Sequence, residues 1–336
     1  MSAVPIDEEQ AETARWYRSF AESEAAEQSP LYAALCDAIA GDAAVLALLG
    51  ELPAPKRQPN LVLASYRWIH GTPSGWDEFR SRLLSGWPAV RACALERRTQ
   101  TNEPGRCALF LPILARLPQP IALIEVGASA GLCLLPERYG YDYGSLSLRP
   151  ASSDGAPVFL CQVNVETPLP ERLPEIGWRA GLDLNPLDVA DRDAMAWLET
   201  LVWPGQEDRL ERLSAAIAIT RAESIRIVRG DLTKDFAALM AEIPMGMTKV
   251  VIHTAVLNYV PSQEDRDAFA EAAMRLADCW IANEAPGVFP QFASAGERPE
   301  KGLFALTVNG RQVAWTHPHG RAIWWLEGEQ ASPLNC

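Results

Sequence analysis

The 336-residue chain has no uninterrupted apolar run of the roughly 18 residues that a membrane span needs, so no transmembrane helix is expected. Its amino terminus is acidic, with Asp7, Glu8 and Glu9, and lacks the basic and apolar regions of a secretory signal. A cytoplasmic protein without a membrane partner is the expectation. Positive charge is also short: 30 Lys and Arg stand against 43 Asp and Glu, a formal net charge of -13. Such a chain is repelled by phosphate backbones, so nucleic acid is a poor substrate and a small molecule a better one. Arg97, Arg98, Arg209, Arg212, Arg221 and Arg226 are the local basic candidates, and solvated helix faces account for them as well.

Metal-binding and redox patterns are missing too. The 7 cysteines, an odd number, include no C-x-x-C pair, which argues against a zinc knuckle and a disulfide framework and fits reduced thiols. The 4 histidines (His70, His253, His317 and His319) form no H-E-x-x-H pattern, so no metal is expected. No G-K-[ST] follows the glycines near residue 127, which excludes a P-loop. Positions 127, 129 and 132 read Gly, Ser and Leu where a dinucleotide fingerprint needs three glycines.

What is present centres on residues 121–132, IALIEVGASAGL. Four apolar residues lead to Glu125, and a turn bounded by Gly127 and Gly131 follows. The pattern predicts a buried parallel strand, a tight turn and a helix start, the place where an open α/β sheet binds its ligand. Both glycines can take positive φ and let a ligand approach the backbone.

Around this segment the chain changes character. Residues 1–118 read as mostly helical, a helical cap, with Ser29-Pro30 as a helix start. From 119 strands alternate with helices: strands at 121–126, 179–183, 225–229, 249–253 and 279–284, helices at 130–137, 190–201, 206–221, 233–242 and 263–277. Alternation of this kind implies a parallel sheet with right-handed crossovers. A hairpin over 303–316 turning at Asn309-Gly310, and a third short strand at 322–326, come last. An inserted strand is expected at 157–163.

Four stretches resemble class I S-adenosylmethionine (SAM)-dependent methyltransferases: Glu125 to Gly131, Gly181 to Pro186, Gly230-Asp231 and Lys249 to Pro261. The resemblance covers 119–326 and implies a methyltransferase-like, Rossmann-like mostly parallel sheet closed by an antiparallel hairpin over 119–330. It implies SAM as cofactor. Gly127, Ser129 and Gly131 would wrap its methionine end, helped by the following helix terminus, with Glu125 near its amino group. Asp183 would hold the ribose, and Asp231 with Leu232 the adenine. His253 and Tyr259 would be the catalytic pair, and Asn258 would orient a small polar or acidic acceptor. Each acid also fits an ordinary cap or turn, and His253 a hydrogen-bonded core histidine.

Over nearly its full length the chain also resembles an uncharacterised bacterial family. The hallmarks are Thr101-Asn-Glu103, Arg106-Cys107, the glycine turn, Gly181 to Asp188, Trp203 to Arg209, Arg229-Gly-Asp231 and His319-Gly320. That resemblance supplies no reaction. Trp203, Gln206 and Arg209 offer a stacking face, an amide and a guanidinium suited to a small anion, or equally to helix packing.

Two other readings stay open. Gly127-x-Ser129-x-Gly131 matches the nucleophile elbow of an α/β-hydrolase, with His70-Gly71 like an oxyanion loop and His317 or His319 late in the chain. A non-catalytic nucleoside- or partner-binding module on the same fold is the other, because fold does not fix function.

Overall fold

The computed structural model describes residues 8–100, 102–152, 154–292 and 298–328. Two compact units divide the chain: Met1–Thr101 with Arg192–Glu211, and Asn102–Asp191 with Arg212–Cys336. Patterning set the boundary at 118/119, whereas compactness sets it at 101/102 and gives 192–211 to the first unit.

The first unit is helical: α1 (Glu8–Phe20, extended by a wider turn to Ala25), α2 (Pro30–Gly41), α3 (Ala43–Gly50), α4 (Pro59–His70) and α5 (Trp76–Glu96). Capping explains the junctions. The Ser29 hydroxyl accepts the Tyr32 N–H at 3.4 Å, with Pro30 fixing the first turn. Asp42 ends α2 and starts α3 by accepting the Ala44 and Val45 N–H groups at 3.0 Å. After α6 (Cys107–Leu114), the chain returns to this unit for α7 (Arg192–Thr200). Arg67 Nη1 donates to the carbonyls of Thr200 and Val202 at 2.9 and 2.6 Å, satisfying the otherwise open end of α7. Arg97 lies over Trp68 and Trp197, 4.2 and 4.9 Å from the ring centres.

Among the described residues the second unit holds twelve strands: β1 (Ile121–Val126), β2 (Gly140–Asp142), β3 (Ser147–Leu148), β4 (Val158–Leu160), β5 (Gln162–Val163), β6 (Ile176–Asp183), β7 (Ile227–Arg229), β8 (Thr248–Thr254), β9 (Cys279–Glu284), β10 (Phe304–Val308), β11 (Arg311–Thr316) and β12 (Ala322–Trp325). Nine make one sheet in the order β5-β12-β11-β10-β9-β8-β1-β6-β7, and β3-β2-β4 make a second. Neighbours from β9 to β7 are all parallel. The chain leaves central β1 for β6 on one side and later reaches β8 on the other, so the strand order reverses around β1. β10, β11 and β12 pair antiparallel, with Asn309 and Gly310 at the β10–β11 turn. They do not close the sheet, because β12 carries the short parallel strand β5 on its far side.

All of β1 is buried, and its side chains alternate between two faces, as a two-residue period demands. Ile121 and Leu123 join the cluster built on α6 and the 132–143 segment. Ala122, Ile124 and Val126 join the opposite cluster with α9 (Phe236–Met240) and α10 (Gln263–Leu276). α8 (Glu207–Ala222) precedes β7.

Several expected elements differ. No α-helix follows the glycine turn: 130–137 holds two 3-10 turns, Leu132–Leu134 and Pro136–Arg138. Leu132, Leu134 and Leu135 are all buried, so the segment has no solvent face for a surface helix, and Pro136 interrupts it. The expected strand at 157–163 splits between the two sheets as β4 and β5. The helix expected at 233–242 shortens to α9 because Asp231 to Asp235 form a turn of their own. Among the described residues no single helix is long and apolar enough to cross a membrane.

Candidate functional site

The glycine turn leaves the carboxyl end of β1 with positive φ at Gly127, Ser129 and Gly131 (74°, 49° and 74°). Every N–H in it has a protein acceptor. Gly127 and Ala128 donate to Leu182 O at 2.8 and 3.4 Å, and Gly131 donates to Ala128 O at 2.6 Å. Ser129 donates to Asp183 Oδ2 at 2.8 Å and Ala130 to Asn102 Oδ1 at 3.1 Å. The Asn102 amide also donates to Ser129 Oγ at 2.8 Å, so one side chain clamps two residues of the turn. Space beside Gly127 is filled as well: a Cβ there would lie 2.8 Å from Val256 Cβ. With the following helix absent, no backbone N–H of residues 127–131 is left for a ligand's carboxylate.

Charge lies just beneath. Glu125 is 5% exposed, and its Oε2 is buried without a hydrogen-bond partner. Burial pushes its carboxyl well above the usual range; Cys133 and Asp183 add to the rise, and the Arg106 guanidinium opposes it. Arg106 is itself 6% exposed. Its Nε donates to Pro318 O at 2.9 Å, and its Nη1 reaches Thr254 O at 3.5 Å.

Two turns lock together to hold that arginine. Gly320 has φ of 78°, and a Cβ on it would collide with the Gly105 carbonyl and lie 2.7 Å from Arg106 N. Only a residue without a side chain permits this backbone approach. Glu103, also buried, caps the turn by accepting the Gly105 N–H at 3.2 Å. At the next strand ends, Asn283 donates to Thr254 Oγ1 at 3.2 Å and accepts from Thr316 Oγ1 at 2.6 Å, all three buried. Cys107 Sγ donates to Cys133 O and Cys133 Sγ to Glu103 O, each at 3.5 Å. The Cys133 thiol is pushed far up, first by its bond with Cys107 and then by burial, so it is no nucleophile.

The other expected residues are dispersed. Asp183 accepts the Asn185 N–H with Oδ1 at 2.7 Å besides holding Ser129. Asp231 Oδ1 takes the Thr233 N–H and hydroxyl at 2.9 and 2.8 Å. Those bonds, with Lys234 nearby, hold its carboxyl below the usual range. Leu232 is half-buried, whereas Asn258 is exposed and Tyr259 is 79% exposed. His253 is 0% exposed and stacks on Trp280; its Nδ1 meets Glu284 Oε1 at 2.8 Å, and its Nε2 is buried without a partner. The same Glu284 oxygen accepts the Val256 and Leu257 N–H groups at 3.0 and 3.3 Å, fixing the turn after β8. Trp203, Gln206 and Arg209 lie in the first unit. There Trp203 packs on Phe20 and Tyr32, Gln206 bonds Gln28, and Arg209 bonds Gln206.

A family described as an uncharacterized protein conserved in bacteria (DUF2332) matches residues 14–325. The chain belongs to this family. Comparison with curated proteins and with solved structures finds no match. Asn102, Glu103 and Arg106 stand out from the sequence only as family hallmarks, without a role. The usable signal was Gly320, because a positive φ against invading backbone demands glycine.

Proposed function

We propose that the second unit binds SAM at the carboxyl ends of β1, β6 and β7 and transfers its methyl group to a small polar or acidic molecule. The observation that carries this reading is Glu125: a buried acid with an orphaned oxygen, at the foot of a positive-φ turn, where the strand order reverses. An unpaired polar atom in a protein interior calls for a partner. When bound, the cofactor would supply a methyl group on a sulfonium that is already a good leaving group.

The chain's own residues would bind and align. Each Asp183 oxygen takes one N–H and keeps a second lone pair for a ribose hydroxyl. Asp231 Oδ1 is filled, which leaves Oδ2, 3.9 Å from Lys234, to face the adenine amino group beside Leu232. Asn258 and the exposed Tyr259 would flank the acceptor. His253 is committed to Glu284 inside an aromatic cluster, so the acceptor that suits this site brings an ionised nucleophile, such as a carboxylate. Alignment would then do most of the work.

A serine esterase is the second reading, favoured by the positive φ of Ser129 within G-x-S-x-G. Against it, the partner of Ser129 Oγ is the Asn102 amide, which is no base.

Calorimetric titration with SAM and S-adenosylhomocysteine, beside fluorophosphonate labelling, tests both. Micromolar binding with unlabelled Ser129 is expected. Labelled Ser129 without binding would replace the methyltransferase by an esterase. Silence in both assays would remove both chemistries in favour of a binding module.

A further inference from the structure

We propose that Arg106 and Glu125 together anchor the α-amino-acid end of the ligand, and that the ligand's ammonium displaces a proton from Glu125 as it enters. This rests on the SAM reading above; it keeps Glu125 at the amino group, as the resemblance implies, and gives the carboxylate to Arg106 instead of to the turn and helix terminus. A carboxylate needs donors, and all five N–H groups of the turn are spent on the protein. The helix terminus that would have supplied others is replaced by 3-10 turns. Arg106 is the cation that acts on Glu125. Its guanidinium has five N–H donors, of which Nε is committed to Pro318 and Nη1 makes one contact at the 3.5 Å limit. A planar, permanently charged fork is suited to a carboxylate.

Glu125 supplies the opposite charge only when ionised. Arg106 faces it from the turn before α6, Cys133 from the turn after Gly131, and Asp183 from the end of β6. At its own level on the neighbouring strands stand Gly181 and Ile252, both uncharged. No ion pair within 4.0 Å joins Arg106 to Glu125, and Oε2 accepts nothing, so burial favours the neutral acid in the free protein. Arrival of an ammonium turns the carboxylic acid into a carboxylate–ammonium pair, and the released proton goes to the buffer. The balance is one cation in and one proton out.

The test is SAM titration near neutral pH in phosphate and in Tris, whose ionisation heats differ; the dependence of observed heat on buffer counts the protons. About one proton should leave on binding to the wild type, as expected when a single site ionises. Glu125→Gln should bind with no proton release. Arg106→Met should weaken SAM by about ten-fold or more, the scale of a charge-assisted hydrogen bond. 5′-Methylthioadenosine, which has no amino-acid end, should bind wild type and both variants alike and so reports that each is folded. Binding of SAM without proton release, or an unaltered SAM affinity in a folded Arg106→Met, would overturn the anchor and leave the cofactor standing. Failure of the wild type to bind SAM would remove the cofactor itself.

Discussion

Asp183 Oδ2 accepts the Ser129 N–H at 2.8 Å, and this bond ties the end of β6 to the turn after β1. The same carboxylate therefore shapes the turn and faces the ligand edge. Asp183→Ala should lower stability by about 1–3 kcal/mol, since it strips acceptors from the Ser129 and Asn185 N–H groups. SAM binding should be lost with it. Asp183→Asn keeps one acceptor and should recover part of the stability. Chemical denaturation and calorimetry on both variants separate the roles, and unchanged SAM affinity in the alanine variant would dismiss Asp183 as a ligand residue.

Gly127 cannot carry a side chain for two reasons, its φ of 74° and the Val256 side chain against it. Gly127→Ala should cost about 2–4 kcal/mol, combining left-handed strain with overpacking. Adding Val256→Ala relieves the collision but not the strain, so the double variant should fall short of additivity by about 1 kcal/mol or more. Strict additivity would mean that Val256 does not press on the turn.

Glu284 gathers His253 Nδ1 and two backbone N–H groups on one oxygen. Glu284→Ala should destabilise by about 3–5 kcal/mol, because it abandons several buried donors at once. His253→Gln should lower the unfolding temperature while leaving turnover within a few-fold. A His253→Gln protein of normal stability that had lost turnover would restore the histidine as a base.

Glu125 makes stability depend on pH with a definite sign. Its folded carboxyl lies well above the ordinary value of 4.5, so between that value and the higher one the folded state binds a proton that the unfolded state has released. Stability must then fall as pH rises through that window, by up to about 1.4 kcal/mol per pH unit. Glu125→Gln removes this contribution, and its unfolding free energy should be flatter than that of the wild type across the same range. Parallel curves would show that the acid is already ionised.

Local pattern carried much of the sheet. Strands β1 and β9 match expectation to the residue, because four consecutive buried apolar residues bounded by turn signals leave little choice. The helix after Gly131 failed for a tertiary reason: Leu132 to Leu135 are all buried, with Cys133, Leu134 and Leu135 in the core cluster of α6, and no periodicity is left to decide between helix and turn. The site failed for reasons of distance. Arg106 meets Pro318 across 212 residues, and Asn102 meets Ser129 across 27. Neither pairing leaves a spacing to be read. Asp183 was recognisable as the acid ending a strand, but its use as a tether for the turn was not, since a carboxylate at that position serves both purposes with the same letters.

The interlocked turns at 104–106 and 317–320 bear on biosynthesis. Arg106 is made more than two hundred residues before the carbonyl that holds it, and its guanidinium cannot settle until that carbonyl emerges. The charged floor of the site is thus completed only once the segment around residue 318 has been made. Until then a growing chain exposes an unmatched arginine and an unfinished sheet, so this unit should reach its native form only after the 317–320 turn has left the ribosome.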